Sequence, residues 1–325
     1  MKKHSTESAV REPLSAGVDV GKYKLHLGFS DGPQVREFSN DEAGFGAIEA
    51  ELKRRGVVRV GMESTANYSA ALAEALREAG FDVTVFQPKQ VKAFAQFKLK
   101  RAKSDKIDPP IIAQCTALSD AQSAPDARLA AFCELLTFCD QLDEDARRTK
   151  TRLEQARNPE IRQLLSEDIK RLSLLRRSRI KALVETVRQH PDLARRMDLI
   201  RSIDGIGEIG ALTLVLRMPE LGSVSREEAA ALLGVAPFVR ESGRFKGERH
   251  IAGGRARARR TLFAAAQAAC QRWNKALIAL YQRLTERGAH HTAAVIACTR
   301  KLVIYANTVL HRQKPWTKNF ENQPV

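Results

Sequence analysis

The chain has 325 residues, enough for two or three domains and at least one sizeable hydrophobic core. Its 54 Lys and Arg against 38 Asp and Glu give a net charge of +16, which predicts a polyanionic partner, above all nucleic acid. A ribosome-like or membrane-surface protein is the alternative. The sequence lacks an apolar run of roughly 18 residues and an apolar segment after its basic start, so we expect neither a transmembrane helix nor a signal peptide.

The five cysteines are odd in number and lack CxxC spacing. This pattern fits the reducing cytosol and argues against a zinc site.

Residues 1–15 are predicted to be a flexible N-terminus, and residues 16–126 a domain in which short apolar runs alternate with turns. The runs AGVDV, KLHLGFS and QVREFS predict three strands. A helix (AGFGAIEAELKRRG), a strand (VVRVGME), a helix (YSAALAEALREAG) and a strand (FDVTVFQP) follow. This order indicates an α/β layer fold with a mixed sheet.

A basic segment follows the last strand. Residues 89–106 contain seven Lys or Arg and one acid, with Phe94 and Phe97 interleaved. We expect nucleic-acid contacts here from Lys98, Lys100, Arg101 and Lys103. A helix is predicted to begin around Pro109 and Pro110, which suit a first turn.

Residues 127–198 lose the strand pattern and mix charged residues with Leu and Ile at helical spacing, which predicts long helices. Asn158-Pro159 should break them. A coiled coil or helical hairpin is the preferred interpretation, with an ordinary helical bundle as the alternative.

Residues 199–312 form the predicted C-terminal, all-α domain, and residues 313–325 a polar tail. Near its start, SIDGIGEIGALTLVL has the spacing of a helix-hairpin-helix, in which Gly205 and Gly207 would present backbone N–H groups to a phosphate. A simple αα-hairpin remains the alternative. Ser225 should cap a further helix. RRTLFAAAQAACQRWNKALIALYQRL and HTAAVIACTRKLVIYANTVLHRQ are predicted to be two packing helices.

Four carboxylates stand at strand ends or a helix start: Asp19, Glu63, Asp105 and Asp108. If the fold brings them to one edge of the sheet, they offer the hard oxygen ligands that two Mg²⁺ ions require at a phosphodiester. Each acid also has a purely structural alternative; Asp108, for example, could simply cap the helix that begins at Pro109.

Ser242 lies in the Gly- and Arg-rich stretch VRESGRFKGERHIAGGRARARR. A hydroxyl needs activation to act as a nucleophile, so a linker role is the alternative. Its setting would attract phosphate through the nearby cations Arg240, Arg244, Lys246 and Arg249.

Together, the motifs GVDVGKYKLHL, MESTANY, KSDKID, SIDGIGEIGALTLV and FVRESGRFKG resemble the DEDD transposases of bacterial insertion sequences, over about residues 16–312. This family is related to the pilin-gene invertase and includes bridge-RNA-guided recombinases. The resemblance implies a RuvC-like, RNase H-type domain joined through a coiled coil to a C-terminal transposase domain.

The resemblance also implies roles. Asp19, Glu63, Asp105 and Asp108 match the family's metal-binding acids, with Mg²⁺ in a two-metal site, and Ser242 matches its serine nucleophile. It implies a phosphoserine link to DNA, donor and target DNA as partners, a guide RNA from the element, and a dimer or tetramer in the bacterial cytoplasm at the nucleoid. The rival interpretations are a RuvC-like junction nuclease that uses water and a non-catalytic nucleic-acid-binding protein.

Three positions depart from the family pattern. Pro109-Pro110 replaces an Ala after the last Asp, and proline disfavours helical geometry at Asp108. We therefore expect Asp105 and Asp108 to deviate from one regular helical turn. Thr65-Ala66 replaces Thr-Gly, and HIAGGRA replaces a stretch richer in Ser and Lys.

Overall fold

The computed structural model describes residues 13–64, 68–98, 108–119, 126–238, 241–242, 245–246 and 250–317. Its contacts divide the chain into two compact units, Met1–Pro125 and Asp126–Val325.

The first unit is built on a five-stranded mixed sheet of β1 (Ser15–Val20), β2 (Lys24–Phe29), β3 (Gly32–Ser39), β4 (Arg59–Glu63) and β5 (Asp82–Phe86). The strand order is β3-β2-β1-β4-β5. Strand β2 runs antiparallel to its neighbours β1 and β3, and β4 and β5 run parallel to β1. The predicted mixed α/β sheet is thus confirmed.

The described residues of this unit also form the helices α1 (Glu42–Arg54), α2 (Ala70–Glu78), α3 (Pro88–Phe97) and α4 (Asp108–Leu118). Alternate residues of β1 face opposite ways. Ala16, Val18 and Val20 belong to a core that includes Ile48 of α1 and Leu72 of α2. Gly17 and Asp19 therefore face the other side of the sheet, where α4 lies.

A row of three glycines lets α4 rest directly on the sheet backbone. Gly17 is paired with Gly28 of β2 and with Gly61 of β4, so the three lie side by side. A Cβ on Gly17 would stand 2.2 Å from the carbonyl oxygen of Pro109, and one on Gly28 would stand 2.8 Å from Pro110. Helix α4 could not approach so closely if these positions carried side chains.

The second unit begins with two long helices, α5 (Ala127–Gln155) and α6 (Pro159–Arg188). Residues 156–158 connect them. The Asn158 side chain accepts hydrogen bonds from the backbone of Glu160 and Ile161, and Pro159 takes the first helical position. The predicted break is confirmed, and the two helices pack on one another as a hairpin.

The remaining helices are α7 (Pro191–Arg201), α8 (Glu208–Arg217), α9 (Arg226–Leu233), α10 (Ala256–Ala268), α11 (Lys275–Glu286) and α12 (His291–Arg312). Short strands β6 (Pro237–Phe238), β7 (Glu241–Ser242), β8 (Phe245–Lys246) and β9 (His250–Ile251) lie between α9 and α10. Ser225 caps α9 in a reciprocal capping box with Glu228, as predicted.

The prediction of one helix through RRTLFAAAQAACQRWNKALIALYQRL is wrong. A π-helical turn (Ala269–Trp273) follows α10, and buried Asn274 adopts an extended conformation. The Asn274 side chain caps α11 through the backbone N–H of Leu277 and donates to the carbonyl oxygen of Asp204. These side-chain bonds stabilise a helix start that apolar periodicity does not reveal.

Helix α12 is long and apolar enough to cross a membrane by composition alone. However, 67% of its most apolar window is buried inside the protein. Leu302, Val303, Ala306 and Val309 belong to the core of the second unit. This helix is therefore the central core helix of that unit.

Candidate active site

Asp19 and Glu63 lie side by side at the ends of two neighbouring parallel strands. The register pairs Val18 of β1 with Met62 of β4, so the next residues along each strand, Asp19 and Glu63, are also neighbours. Adjacent strands are about 4.8 Å apart. Both residues are half-buried, and both face the side of the sheet on which the glycine row supports α4.

The start of α4 lies over β1 and β2, on the face of the sheet that carries Asp19. The helix begins at Asp108, and the next residue, Pro109, contacts the backbone of Gly17. Gly17 is two residues before Asp19 on the same face of β1. Pro109 and Pro110 thus form the first turn of α4 without preventing the helix from starting at Asp108.

Asp105 and the side chain of Asp108 lie outside the described residues, as do Thr65 and Ala66. Within the described part of the chain, no three His, Cys, Asp or Glu residues form a group that could hold a metal ion. Of the four predicted ligands, the described structure thus places two, Asp19 and Glu63, next to each other.

His26, which no sequence motif singles out, is the cross-strand partner of Asp19 in the β1–β2 pair. His26 is paired on its other side with Glu37 of β3, and its Nε2 is 3.5 Å from Glu37 Oε2. The hydrogen bond from Lys24, at 2.6 Å, lowers the pKa of the Glu37 carboxyl. A polar row thus crosses four strands; only the strand register, which sequence alone does not give, could have revealed it.

The described part of the basic segment is helix α3 and its C-terminal residue, Lys98. The exposed Lys98 ammonium lies 5.7 Å from the centre of the Phe94 ring. Phe97 is 78% exposed, and its ring stacks on Phe94 with centroids 6.4 Å apart. The other predicted contacts of this segment, Lys100, Arg101 and Lys103, lie outside the described residues.

Ser242 lies in the second unit, on a small antiparallel ladder. Glu241 is paired with Lys246, and Ser242 with Phe245. The described structure gives only the backbone of Ser242 and Lys246. The predicted phosphate contacts Arg240, Arg244 and Arg249 lie outside the described residues.

Gly205 and Gly207 lie in the turn between α7 and α8. Gly205 has a φ of +102°, and a Cβ there would stand 2.3 Å from the Cβ of Ala269 in the π-helical turn. Gly207 is the N-cap of α8, with its backbone extended. The turn therefore requires glycine at position 205 both for its backbone angle and for close packing.

Two family models match the chain. A model for DEDD transposases, described as "Transposase", matches residues 16–158, and a model described as "Transposase IS116/IS110/IS902 family" matches residues 197–282. Together they span well over half of the sequence.

The chain belongs to the IS116/IS110/IS902 transposase family. It is a DNA transposase, an enzyme that moves DNA by phosphoryl transfer. Among solved structures, it is similar to T. thermophilus RuvC in complex with a Holliday junction substrate. The two sequences are 20% identical over a match that covers 32% of this chain and 91% of the RuvC chain, with a TM-score of 0.26. No curated protein matches the chain.

The residues that the first family model matches include β1 and β4. The DEDD designation of that model is shared with nucleases that generally use divalent metals. Within the matched region, Asp19 and Glu63 stand on adjacent strands, and Asp108 begins α4.

Proposed function

We propose that this transposase cleaves and exchanges DNA strands through a covalent phosphoserine intermediate. Asp19, Glu63, Asp105 and Asp108 would be its metal ligands and Ser242 its nucleophile. The observation that carries the proposal is the register of β1 and β4, which makes Asp19 and Glu63 neighbours on the face of the sheet where α4 lies.

These acids fit Mg²⁺ in their chemistry. Two half-buried carboxylates on adjacent strands repel each other unless a cation lies nearby, and carboxylate oxygens are the ligands that Mg²⁺ prefers. When bound, two such ions would supply charge stabilisation for the attacking and leaving oxygens of a phosphodiester. The role of this chain's own acids is to hold that charge at one edge of the sheet.

Ser242 would attack the scissile phosphate in line. Its hydroxyl proton passes to a base, one P–O bond forms to Ser242 Oγ, and the P–O bond to the departing strand breaks. The oxygen of the departing strand takes up a proton. Because a phosphodiester replaces a phosphodiester, the strand can later be rejoined to a new partner by the reverse chemistry.

The partners follow from charge and family. Donor and target DNA would lie against α3 and the segment after it, in the domain of residues 16–126. The C-terminal domain of residues 199–312 would contact DNA through the α7–α8 turn, as a helix-hairpin-helix, and through the basic segment around Ser242. The α5–α6 hairpin, in residues 127–198, would form a coiled coil in a dimer or tetramer. We further propose an element-encoded guide RNA and action at the nucleoid of the bacterial cytoplasm.

The nucleophile is tested with DNA that carries the element end, by looking for a protein–DNA adduct that survives denaturation. Ser242→Ala should abolish the adduct, whereas Ser178→Ala, on the exposed face of α6, should retain it. Cleavage by Ser242→Ala at the wild-type rate would instead indicate hydrolysis by water, as in a junction nuclease.

The metal ligands are tested separately. Asp19→Asn and Glu63→Gln should each lower adduct formation in Mg²⁺ by at least about 100-fold, while Glu74→Gln, an exposed residue of α2, should not. Full activity of Asp19→Asn in Mg²⁺ would refute the metal assignment. The guide is tested by sequencing RNA that co-purifies with the protein, where one discrete element-derived species is expected and random host RNA would count against it.

A further inference from the structure

The segment that contains Ser242 leaves the second unit and returns to it at one narrow base. It departs after Gly234, which ends α9 with a φ of +81°, and returns through Gly253 and Gly254, both with φ near +67°. Between these points β6 pairs with β9, joining Pro237 to Ile251 and Phe238 to His250. Both ends of the segment are therefore fixed within a few residues of each other.

Two glycines touch at this base. A Cβ on Gly254 would stand 2.3 Å from the backbone nitrogen of Gly234 and 2.6 Å from the carbonyl carbon of Leu233. A Cβ on Gly253, the preceding residue, would meet no heavy atom within 4 Å. A side chain is thus excluded at position 254 but not at position 253, although both residues share the same left-handed backbone angle.

Arg259 of α10 ties the two ends together. Its Nη1 donates to the carbonyl oxygen of Leu233, at 3.1 Å, on the departing end and to that of Gly253, at 2.6 Å, on the returning end. The guanidinium fits here only because residue 234 is a glycine: a Cβ at that position would stand 2.3 Å from Nη1. Arg255 adds a second link between the two ends. Its backbone N–H donates to the Leu232 carbonyl oxygen, and its guanidinium pairs with Glu220.

We propose that Arg259 and the Gly234–Gly254 contact are positioning elements of the transposase reaction. They fix the base of the Ser242 segment and thereby fix where its hydroxyl attacks. This inference rests on the proposed role of Ser242. It also gives a reason for the glycines in HIAGGRA, the stretch that departs from the family pattern, because Gly254 allows the backbone to lie on Gly234.

The first test compares Gly254→Ala with Gly253→Ala in the full-length protein. Both variants bear the same backbone strain, but only Gly254→Ala forces Gly234 and Gly254 apart. The rate of covalent adduct formation at saturating DNA should fall about 10- to 100-fold more in Gly254→Ala than in Gly253→Ala, because a displacement of about 1 Å costs that much in rate. The DNA dissociation constant should be the same in both.

The second test removes the arginine. Arg259→Ala should lower the same rate with little change in DNA affinity. The control is Arg260→Ala, also on α10, which loses a pair with Glu144 of α5 and should leave the rate unchanged. Arg259→Lys, with one ammonium in place of the guanidinium, should recover only part of the rate. If Gly254→Ala unfolds the protein, the Arg259 and Arg260 variants still decide the matter.

Equal adduct rates for each variant and its control would overturn the positioning role. Equal losses of rate and of DNA affinity would also overturn it, since they indicate a binding role. Failure of the proposed function is distinguishable, because in that case Ser242→Ala itself would still form the adduct.

Discussion

Gly17 of β1 lies directly beside Gly61 of β4, and helix α4 rests on both of their backbones. Two residues further along the same strands stand Asp19 and Glu63. The close packing of a helix on bare backbone and the pairing of the two acids are therefore parts of one arrangement, since both depend on the register of β1 against β4.

Gly61→Ala should lower the free energy of unfolding by about 1–3 kcal/mol, measured by denaturant titration. The new Cβ would stand 1.9 Å from Thr116 Oγ1, on α4, and 2.7 Å from the Phe86 ring. Thr116→Ala in the same chain removes the nearer atom and should recover part of the loss. Gly46→Ala, in α1, is the control: a Cβ there meets nothing, so this change should stabilise by up to about 1 kcal/mol.

Gly17→Ala should destabilise more than Gly61→Ala, and no side-chain trimming should rescue it. The obstructing atoms at this position include the Pro109 carbonyl oxygen at 2.2 Å and the Ala113 nitrogen at 2.3 Å, both in the backbone of α4. A Gly17→Ala protein with wild-type stability would show that α4 does not contact β1 as described.

Lys98→Ala should weaken DNA binding and make it less dependent on salt. If Lys98 neutralises one phosphate, the slope of log K against log salt concentration should fall in magnitude by about 0.7–0.9. Lys53→Ala removes the same charge from α1, where Lys53 pairs with Glu49, and should leave the slope unchanged. Identical slopes for both variants and the wild type would exclude Lys98 from the interface.

Mixing two inactive variants should restore adduct formation if Ser242 acts on the metal site of a second protomer. Asp19 and Ser242 lie in separate compact units. In a mixture of Asp19→Asn and Ser242→Ala proteins, a shared site would combine the intact serine of the first with the intact acids of the second. The DNA should then be attached to the Asp19→Asn protomer, which a size tag identifies; a mixture as inactive as its components would indicate action within one chain.

The stability of the second unit should fall as the pH drops below about 4. Arg128 bridges Asp126, the N-cap of α5, and Asp192 in the first turn of α7, with oxygens at 2.6 and 2.8 Å. The hydrogen bonds from Arg128 lower the pKa values of both carboxyls. Because these folded-state values are lowered, the stabilisation is present above the ordinary aspartate pKa and is lost as the pH falls through the lowered values.

Arg128→Gln tests this dependence. Arg128 and Asp192 are exposed and Asp126 is half-buried, so solvent screens the bridge and the difference in melting temperature at pH 7 should be only about 1–3 °C. The variant should lose less stability than the wild type between pH 5 and pH 2, flanking the ordinary aspartate pKa of about 3.9. Parallel curves for the two proteins would show that the bridge is not formed in solution.

Strand and helix order could be predicted where apolar periodicity is strong. The three opening strands, the break at Asn158-Pro159 and the Ser225 cap are local signals, and all three are confirmed. The end of α10 was missed because Asn274 stops the helix through hydrogen bonds to Leu277 and Asp204, the second of which is 70 residues away.

The sequence indicates the acidic residues of the site by their positions at strand ends. It does not indicate which residues lie beside them. His26 lies beside Asp19 only because β2 pairs with β1 in one particular register. A shift of one residue would turn His26 to the opposite face. Similarly, nothing in HIAGGRA indicates that Gly254 meets Gly234, 20 residues earlier, because the contact depends on where α9 ends and α10 begins.

Helix α12 carries a long apolar surface that the second unit must bury. Its apolar window is about as long as the hydrocarbon core of a lipid bilayer is thick, yet folding buries 67% of it inside the protein. Fragments of the gene that encode α12 without α7, α9 and α10 would present this surface to chaperones, membranes and other chains. Fragments prepared for study should therefore keep residues 191–312 together, since a shorter fragment that includes α12 will expose apolar surface and aggregate.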